Sequence, residues 1–142
     1  MPMDKQIMTS VSEAPISLTA AISSVESTRC GAVVSFSGNV RSHDKGREVL
    51  SLKYEIHPST DRELERVVNE VCARHEVAMA MVIHRYGEIP IGEAALIVAV
   101  SAAHRQPALA ACAELVDEIK LQIPIWKYQT FADGTHEWIN CA

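Results

Sequence analysis

The sequence predicts a single α+β (mixed α/β) domain in which two main helices pack on an antiparallel or mixed sheet. The chain has 142 residues, a length typical of one domain. Its composition, 48% hydrophobic and 22% charged residues, is that of an ordinary globular protein. Strand-like and helix-like patterns alternate along it. We therefore expect one domain over residues 1–142, with the weakest pattern in residues 1–29.

The first half of the chain predicts three strands and a short helix. A strand is expected near residues 7–11 and the short helix near residues 19–25. Residues 32–37 are apolar and β-branched, and residues 49–57 alternate apolar with polar side chains, so both predict strands. The loop at residues 41–47 is charged and contains glycine. We expect it to join the two strands in a long hairpin.

The first main helix is predicted from residue 60 onward. Thr60 is the expected N-cap, and Glu63 three residues later completes a capping box. The apolar positions that follow have helical spacing and predict the buried face of this helix: Leu64, Val67, Val68, Val71 and Cys72. The helix is expected to cover one face of the sheet.

The second half of the chain predicts two pairs of strands on either side of the second main helix. That helix should begin at Pro107, which suits a first helical turn, and end at Ile123 before Pro124. Each strand pair is joined by a glycine-containing turn, at residues 87–92 and 132–134. The four strands are expected at residues 79–86, 94–101, 125–131 and 135–139.

Lys120 conflicts with the pattern of the second helix. It falls within the predicted apolar stripe, which consists of Leu109, Cys112, Ala113, Val116, Ile119 and Ile123. Either the lysine stem lies along the sheet while its amine reaches water, or the amine faces a ligand. Lys127, on the next strand, is expected near the same space, unless it is an ordinary exposed strand residue. Two ammonium groups in one apolar-walled space are best tolerated with an anion between them.

The charge distribution predicts a small anionic ligand. The formal net charge of −5 argues against a nucleic acid or an anionic membrane as partner. After Arg85 the chain has only three basic residues, Arg105, Lys120 and Lys127, against seven acidic ones. His104 and Arg105 lie at a predicted helix start, which is a favourable place for an anion. The segment of Asn39, Val40 and Arg41 follows a strand end and a glycine, where a guanidinium suits a phosphate.

Neither the cysteines nor the histidines form a metal or redox motif. No two cysteines form a Cys-x-x-Cys pair. We expect all four to be reduced thiols, at Cys30, Cys72, Cys112 and Cys141. The six histidines show no metal-like clustering, so we predict no metal and no cofactor. No apolar stretch is long enough to cross a bilayer and no signal-peptide core is present, which favours a cytoplasmic location.

Four groups of residues, in this order and at compatible spacing, resemble the family of molybdopterin synthase catalytic (large) subunits. They are residues 31–41 (GAVVSFSGNVR), residues 83–88 (IHRYGE), residues 101–105 (SAAHR), and Lys120 followed by residues 124–127 (PIWK). The resemblance covers residues 31–138. It implies an α/β hammerhead-type fold and a sulfurtransferase of molybdenum cofactor biosynthesis, which places two sulfurs on cyclic pyranopterin monophosphate to give the dithiolene of molybdopterin.

The resemblance also implies which residues act. Lys120 is expected as the principal proton-transfer or electrostatic catalyst, and Lys127 as the catalytic residue that orients substrate and thiocarboxylate. Arg41, His104 and Arg105 would hold the substrate phosphate. Members often have Lys at the position of Asn39, and a basic residue then Glu where this chain has Tyr128 and Gln129. The implied substrate-binding set is Asn39, Val40, Arg41, His104, Arg105, Lys120, Lys127, Tyr128 and Gln129.

The partners implied are a small ubiquitin-like subunit and a second copy of the chain. In this family the sulfur donor is the C-terminal thiocarboxylate of the small subunit, whose Gly-Gly tail enters the pocket of the large one. The large subunits form a homodimer with one small subunit at each end, giving a heterotetramer. The large subunit needs no cysteine for the reaction, because the sulfur arrives on the partner.

Two other interpretations fit the residues. A non-catalytic module would bind a small anion or a nucleotide-like ligand in the same pocket. Lys120→Ala would then weaken binding, and no sulfurated product would form with any partner. In a purely structural domain Lys120 would only reach water, and Lys120→Met would change nothing measurable.

Overall fold

The computed structural model of the protein describes residues 5–140. This part of the chain contains, in order, β1 (Gln6–Ser12), α1 (Leu18–Val25), β2 (Ala32–Asn39), β3 (His43–Asp44), β4 (Arg47–Ile56), α2 (Thr60–Ala73), β5 (Met79–Arg85), β6 (Gly87–Ile89), β7 (Ala94–Ala102), α3 (Arg105–Gln122), β8 (Ile125–Phe131) and β9 (His136–Asn140). The α+β class is confirmed. None of the helices in residues 5–140 is long and apolar enough to span a membrane.

The first sheet has four strands in the order β1-β5-β7-β2 and is covered by helices on both faces. β1 runs parallel to β5, and the other pairs are antiparallel. Helices α2 and α3 pack on one face, where the five apolar residues predicted for α2 are all buried. Helix α1 covers the other face through Ala21 and Val25. Because both faces are covered, the central strand β7 is an almost continuous apolar run.

The second sheet contains β3, β4, β8 and β9 in that order, and β6 also pairs with β4. Strands β8 and β9 form the predicted hairpin, whose turn includes Gly134 with a φ of 86°. The inner face of this sheet carries buried side chains such as Leu52, Ile125 and Phe131. Its outer face carries an aromatic group of Tyr128 and Trp138. This sheet is therefore covered on one face only.

The predicted long hairpin between β2 and β4 is wrong. Strand β2 pairs antiparallel with β7 in the first sheet, whereas β4 pairs with β8 in the second. The tight hairpin is instead β3–β4, which turns at Lys45 and Gly46 with φ values of 51° and 77°. Positive φ at both central residues is what a two-residue hairpin turn requires. The apolar side chains of β2 gain more contact on β7, beneath α3, than they would gain on a half-exposed strand.

The predicted capping box at the start of α2 is also wrong. The N-cap residue is Ser59, and its side chain makes no capping hydrogen bond. Thr60 is already helical, and its hydroxyl accepts a hydrogen bond from the backbone N–H of His57 at 2.8 Å. The same hydroxyl donates to the carbonyl oxygen of Pro124 at 2.7 Å. Thr60 therefore connects α2 to the segment that leads from α3 into β8.

The apolar stripe predicted for α3 is displaced. Leu109 is 55% exposed, and Ala113 is exposed too. The residues that are buried on this helix are Ala108, Ala111, Cys112, Leu115 and Ile119. The small side chains of the alanines let the helix approach β2 and β7 closely. Because the helix has apolar residues on more than one side, the sequence pattern alone does not show which side is buried. Lys120 consequently lies beside the buried face and is exposed.

Candidate functional site

A cavity of about 260 Å³ lies where the last turn of α3 meets the ends of β2 and β5 and the inner face of the second sheet. Two breaks in regular structure open it. Strand β2 has a register irregularity at Gly38 and Asn39, after which the chain leaves the first sheet. Pro124 separates α3 from β8 and sends the chain into the second sheet. The predicted site residues on its wall are Asn39, Val40, Arg41, Lys120, Lys127 and Gln129.

The two lysines reach this cavity from different elements. Lys120 lies in the last turn of α3, directly after the buried Ile119. Lys127 is the third residue of β8 and pairs in register with Tyr54 of β4. Alternate residues of β8 face inward, so Lys127 shares its face with Ile125. Helix and strand thus place two ammonium groups on one wall.

The charged side chains on the cavity wall are Arg41, Lys120 and Lys127, with Asp44 as the one carboxylate among the described lining residues. Asp44 accepts a hydrogen bond from the Gln129 amide at 2.9 Å and lies 3.7 Å from the Arg41 guanidinium. The Gln129 hydrogen bond lowers the pKa of Asp44, and the nearby cations Lys127, Lys45 and Arg41 act in the same direction, against a smaller effect of burial. The side chains on the cavity wall therefore carry a net positive charge, although the net charge of the whole chain is negative.

His84 and Tyr54 also line the cavity, and neither was predicted as a site residue. His84 is buried, and its Nδ1 lies 2.8 Å from the carbonyl oxygen of Arg85. Its ring meets that of Tyr54 edge-on, with centroids 5.1 Å apart. Burial lowers the pKa of His84 to about 4, and the charge of Lys120 adds to this, while the hydrogen bond to Arg85 opposes it. One feature of β5 could have identified His84: every second residue of the strand is buried, and the histidine occupies one of these buried positions.

Three predicted site residues lie away from this cavity. His104 is the N-cap of α3 and Arg105 its first residue, and both are exposed. They are separated from Lys120 by the length of α3, about 22 Å at 1.5 Å per residue. Tyr128 lies on the outer face of the second sheet, where its ring stacks on His136 and contacts Trp138. Within one chain, therefore, the predicted phosphate-binding residues do not all converge.

The described cysteines take no part in the cavity wall. Cys72 and Cys112 are buried between the helices and the first sheet. Burial raises the pKa of Cys72 to about 11, against a small opposing effect of Lys5, and burial also raises the pKa of Cys112. Cys141 lies outside the described residues. Residues 5–140 contain no group of three or more His, Cys, Asp or Glu side chains arranged to hold a metal ion.

Comparison with known proteins decides the family. The model of the MoaE family, described as MoaE protein, matches residues 11–122. The chain belongs to the MoaE family. It is 40% identical over 121 residues to the molybdopterin synthase catalytic subunit of Pyrococcus abyssi, which covers 84% of this chain and 81% of that protein. The longer curated relatives from rat and rice are covered over 58% of their length.

Solved structures confirm the fold. The molybdopterin synthase structure from Staphylococcus aureus superimposes with a TM-score of 0.83 at 29% identity, covering 91% of this chain and 94% of that one. A second solved structure is a complex of subunits 1 and 2 of the molybdopterin-converting factor from Helicobacter pylori. One chain of it superimposes with a TM-score of 0.68 at 20% identity. It covers 95% of this chain and 88% of that one, and at this identity the similarity shows the fold alone. The resemblance found in the sequence is thus confirmed.

Proposed function

We propose that this chain is the catalytic subunit of a molybdopterin synthase. In this role it transfers sulfur from the C-terminal thiocarboxylate of a small protein to cyclic pyranopterin monophosphate. The observation that carries the proposal is the joint presence of Lys120, Lys127 and Arg41 on the wall of one cavity in a MoaE-family chain. Three cations against one carboxylate fit a phosphorylated substrate and an anionic sulfur donor.

The reaction explains why lysines rather than cysteines lie at this cavity. The thiocarboxylate sulfur attacks a carbon of the pterin side chain, so a C–S bond forms and a C–O bond breaks. The departing oxygen gains negative charge, which a nearby ammonium stabilises or neutralises by donating a proton. Water then cleaves the acyl–sulfur bond, which leaves sulfur on the substrate and a carboxylate on the tail. The buried thiols of Cys72 and Cys112 are not needed, because the sulfur arrives on the partner.

The residues take distinct roles in this scheme. Lys120, at the end of α3 and exposed to the cavity, is the proton donor and electrostatic catalyst. Lys127, on rigid strand β8, orients the substrate and the incoming thiocarboxylate. Arg41 follows the end of β2 and binds the phosphate, and its side chain is mostly exposed and only loosely paired with Asp44. Gln129 holds Asp44 and thereby the β3–β4 hairpin at the cavity rim.

His104 and Arg105 join this site only if a second copy of the chain supplies them. They lie at the far end of α3 from Lys120. The cavity of about 260 Å³ is also smaller than the range of about 300–1,000 Å³ that encloses a drug-sized ligand, so a phosphorylated tricycle would extend past its mouth. The predicted homodimer provides the missing wall.

The geometry of β2 supports such a homodimer. This strand lies at the edge of the first sheet, so its outer backbone groups are open to another strand. The start of β2 is close to the start of α3, since the N–H of Gly31 donates to the carbonyl of Ala103 at 3.3 Å. Its end leads to Arg41 at the cavity. Antiparallel pairing of β2 with its two-fold copy would therefore place the partner copy's α3 start beside this cavity.

The proposed function is tested by reconstitution. The chain is mixed with a thiocarboxylated small subunit and cyclic pyranopterin monophosphate, and the dithiolene product is measured. We expect product with the unsubstituted chain, and little with Lys120→Ala or Lys127→Ala. Full activity of both variants would exclude the mechanism. Substrate binding without product from any thiocarboxylated partner would instead support the non-catalytic anion-binding module.

The shared site is tested by mixing two inactive variants, Lys120→Ala and Arg105→Ala. If the site is built from two copies, each mixed dimer has one intact site, and about a quarter of the activity returns after subunit exchange. If each chain is complete in itself, no activity returns. Mixing Lys120→Ala with Lys127→Ala is the matched control, because those two residues belong to the same chain's cavity and no mixed dimer then has an intact site.

A further inference from the structure

We propose that His84 is a positioning residue that holds the Lys120 ammonium by accepting a hydrogen bond at Nε2. The inference deepens the proposed function, on which its catalytic part rests. It is carried by three features of the cavity floor: His84 and Lys120 line the same small cavity, the imidazole has one nitrogen already committed, and its ring is fixed in place.

The committed nitrogen determines the tautomer. Nδ1 of His84 lies 2.8 Å from the carbonyl oxygen of Arg85, and a carbonyl oxygen can only accept. Nδ1 therefore carries the proton and donates it. In the neutral ring Nε2 is then a lone-pair acceptor, so it is suited to an N–H donor.

The fold brings Lys120 to this acceptor. His84 follows Val82 on the same face of β5, and Lys120 follows Ile119 in the last turn of α3. Val82 and Ile119 belong to the same buried cluster, and α3 packs on β7, the strand that pairs with β5. The positive charge of Lys120 makes a small further contribution to the low pKa of His84, as expected for two groups that line the same cavity.

The surroundings keep the imidazole neutral. Its side chain is buried, and Tyr54 packs edge-on against it. The charged groups on the same cavity wall are Arg41, Lys120 and Lys127, with Asp44 at the rim. Burial accordingly lowers the pKa of His84 to about 4, so the ring is neutral near pH 7 and the shared proton stays on the lysine.

Such an acceptor has a catalytic consequence. A lysine side chain has four rotatable bonds, so an exposed ammonium group samples many positions. A fixed acceptor at the cavity floor restricts Nζ to one position, and displacing a catalytic group by about 1 Å can cost about 100-fold in rate. The restricted amine therefore faces the departing oxygen instead of solvent.

The direct test uses the full-length chain labelled with ¹⁵N in its histidine rings and does not depend on activity. We expect the His84 Nε2 resonance to move downfield, toward a free imine nitrogen, in Lys120→Met. We expect no such change in Lys127→Met, the matched control on the same cavity wall. Both lysines can be replaced without opening the core, since neither is buried. An unchanged His84 resonance in Lys120→Met overturns the proposal.

The kinetic test separates positioning from packing. His84→Leu should lower kcat by about 100-fold with KM changed by less than about twofold, because the substrate phosphate is bound elsewhere. His84→Gln should regain at least about tenfold of that loss, since an amide oxygen can replace Nε2 as acceptor. His136→Leu, on the outer face of the second sheet, should match the unsubstituted chain. Equal activity of His84→Leu and His84→Gln contradicts the proposal.

The two tests fail in different ways. If the unsubstituted chain forms no dithiolene, the proposed function fails, whereas the ¹⁵N result still decides whether His84 accepts from Lys120. If His84→Leu does not fold, the ¹⁵N comparison in the lysine variants gives the answer without it.

Discussion

The two sheets differ in how they are covered, and the site lies where they meet. In the first sheet β7 is buried along nearly its whole length, because helices lie on both faces. In the second sheet β4 alternates between exposed and buried residues, because one face is open. A doubly covered sheet tolerates almost only apolar side chains. A sheet whose inner face ends at a cavity can carry Lys127 and Gln129 there. Stability should therefore depend mainly on the first sheet, and chemistry on the junction.

The largest expected effect is on activity at the junction. Lys120→Ala should lower the rate of product formation by about 10³-fold, or about 4 kcal/mol in activation free energy, because in the proposed mechanism it removes the ammonium that stabilises the departing oxygen. Its free energy of unfolding should change by less than about 0.5 kcal/mol, since the side chain is exposed. Single-turnover product formation and urea unfolding measure the two quantities. Lys53→Ala, an exposed lysine of β4, is the control. A decrease of more than about 2 kcal/mol in the free energy of unfolding would contradict the view that stability depends mainly on the first sheet.

The next effect is on stability in the first sheet. Leu64 of α2 is fully buried against this sheet, so Leu64→Ala should lower the free energy of unfolding by about 3 kcal/mol through lost burial and a residual cavity. Activity per folded molecule should be unchanged. Leu121→Ala removes the same atoms from a side chain that is 76% exposed and should cost less than about 0.5 kcal/mol. Urea unfolding with active-site titration compares the pair. Equal costs for the two leucines would show that the helical layer is not the stabilising one.

A smaller effect is expected at the rim of the cavity. Gln129 is 2% exposed and donates a hydrogen bond to Asp44. Gln129→Leu should therefore lower the free energy of unfolding by about 2 kcal/mol at pH 7. The folded state lowers the pKa of Asp44, so this contribution is present above the unfolded value of about 3.9 and is lost as pH falls through the lower folded value. The difference between the two proteins should therefore shrink from pH 7 to pH 3 in urea unfolding. A difference independent of pH would mean that the hydrogen bond to the carboxylate is not its cause.

The smallest effect is expected on the outer surface of the helices. Glu114 of α3 pairs with Arg74 and His75 beyond the end of α2, and its carboxylate lies 2.7 Å from the His75 ring. Glu114→Gln should lower the free energy of unfolding by about 0.5 kcal/mol, because water and salt reach these partly exposed pairs and screen them. Thermal unfolding at low and high salt measures it. A salt-independent loss above about 1.5 kcal/mol would indicate a buried network instead.

Local patterns in the sequence were sufficient wherever neighbouring residues decide the structure. The apolar spacing of α2 placed its buried face correctly, and the glycine turn at residues 132–134 placed the β8–β9 hairpin. Lys120 and Lys127 could be chosen because they are separated by a helix end and Pro124, which bring them to one wall. The conflict of Lys120 with the apolar pattern of its helix was the useful signal, although the predicted stripe itself was displaced.

Tertiary structure decided whatever depends on residues far apart in the chain. The partner of β2 is β7, about 60 residues away in sequence, because the first sheet offers a covered apolar face that a local hairpin cannot. The Thr60 hydroxyl binds Pro124 instead of capping its own helix. His84 became a candidate only once its ring was found at the cavity floor. The sequence by itself was sufficient for the fold class, for the family, and for the expectation that Lys120 and Lys127 lie near one space, since those depend on local spacing and residue type. The partners of β2, Thr60 and His84 were decided by the packed chain, because contact energies are set by what lies opposite in space.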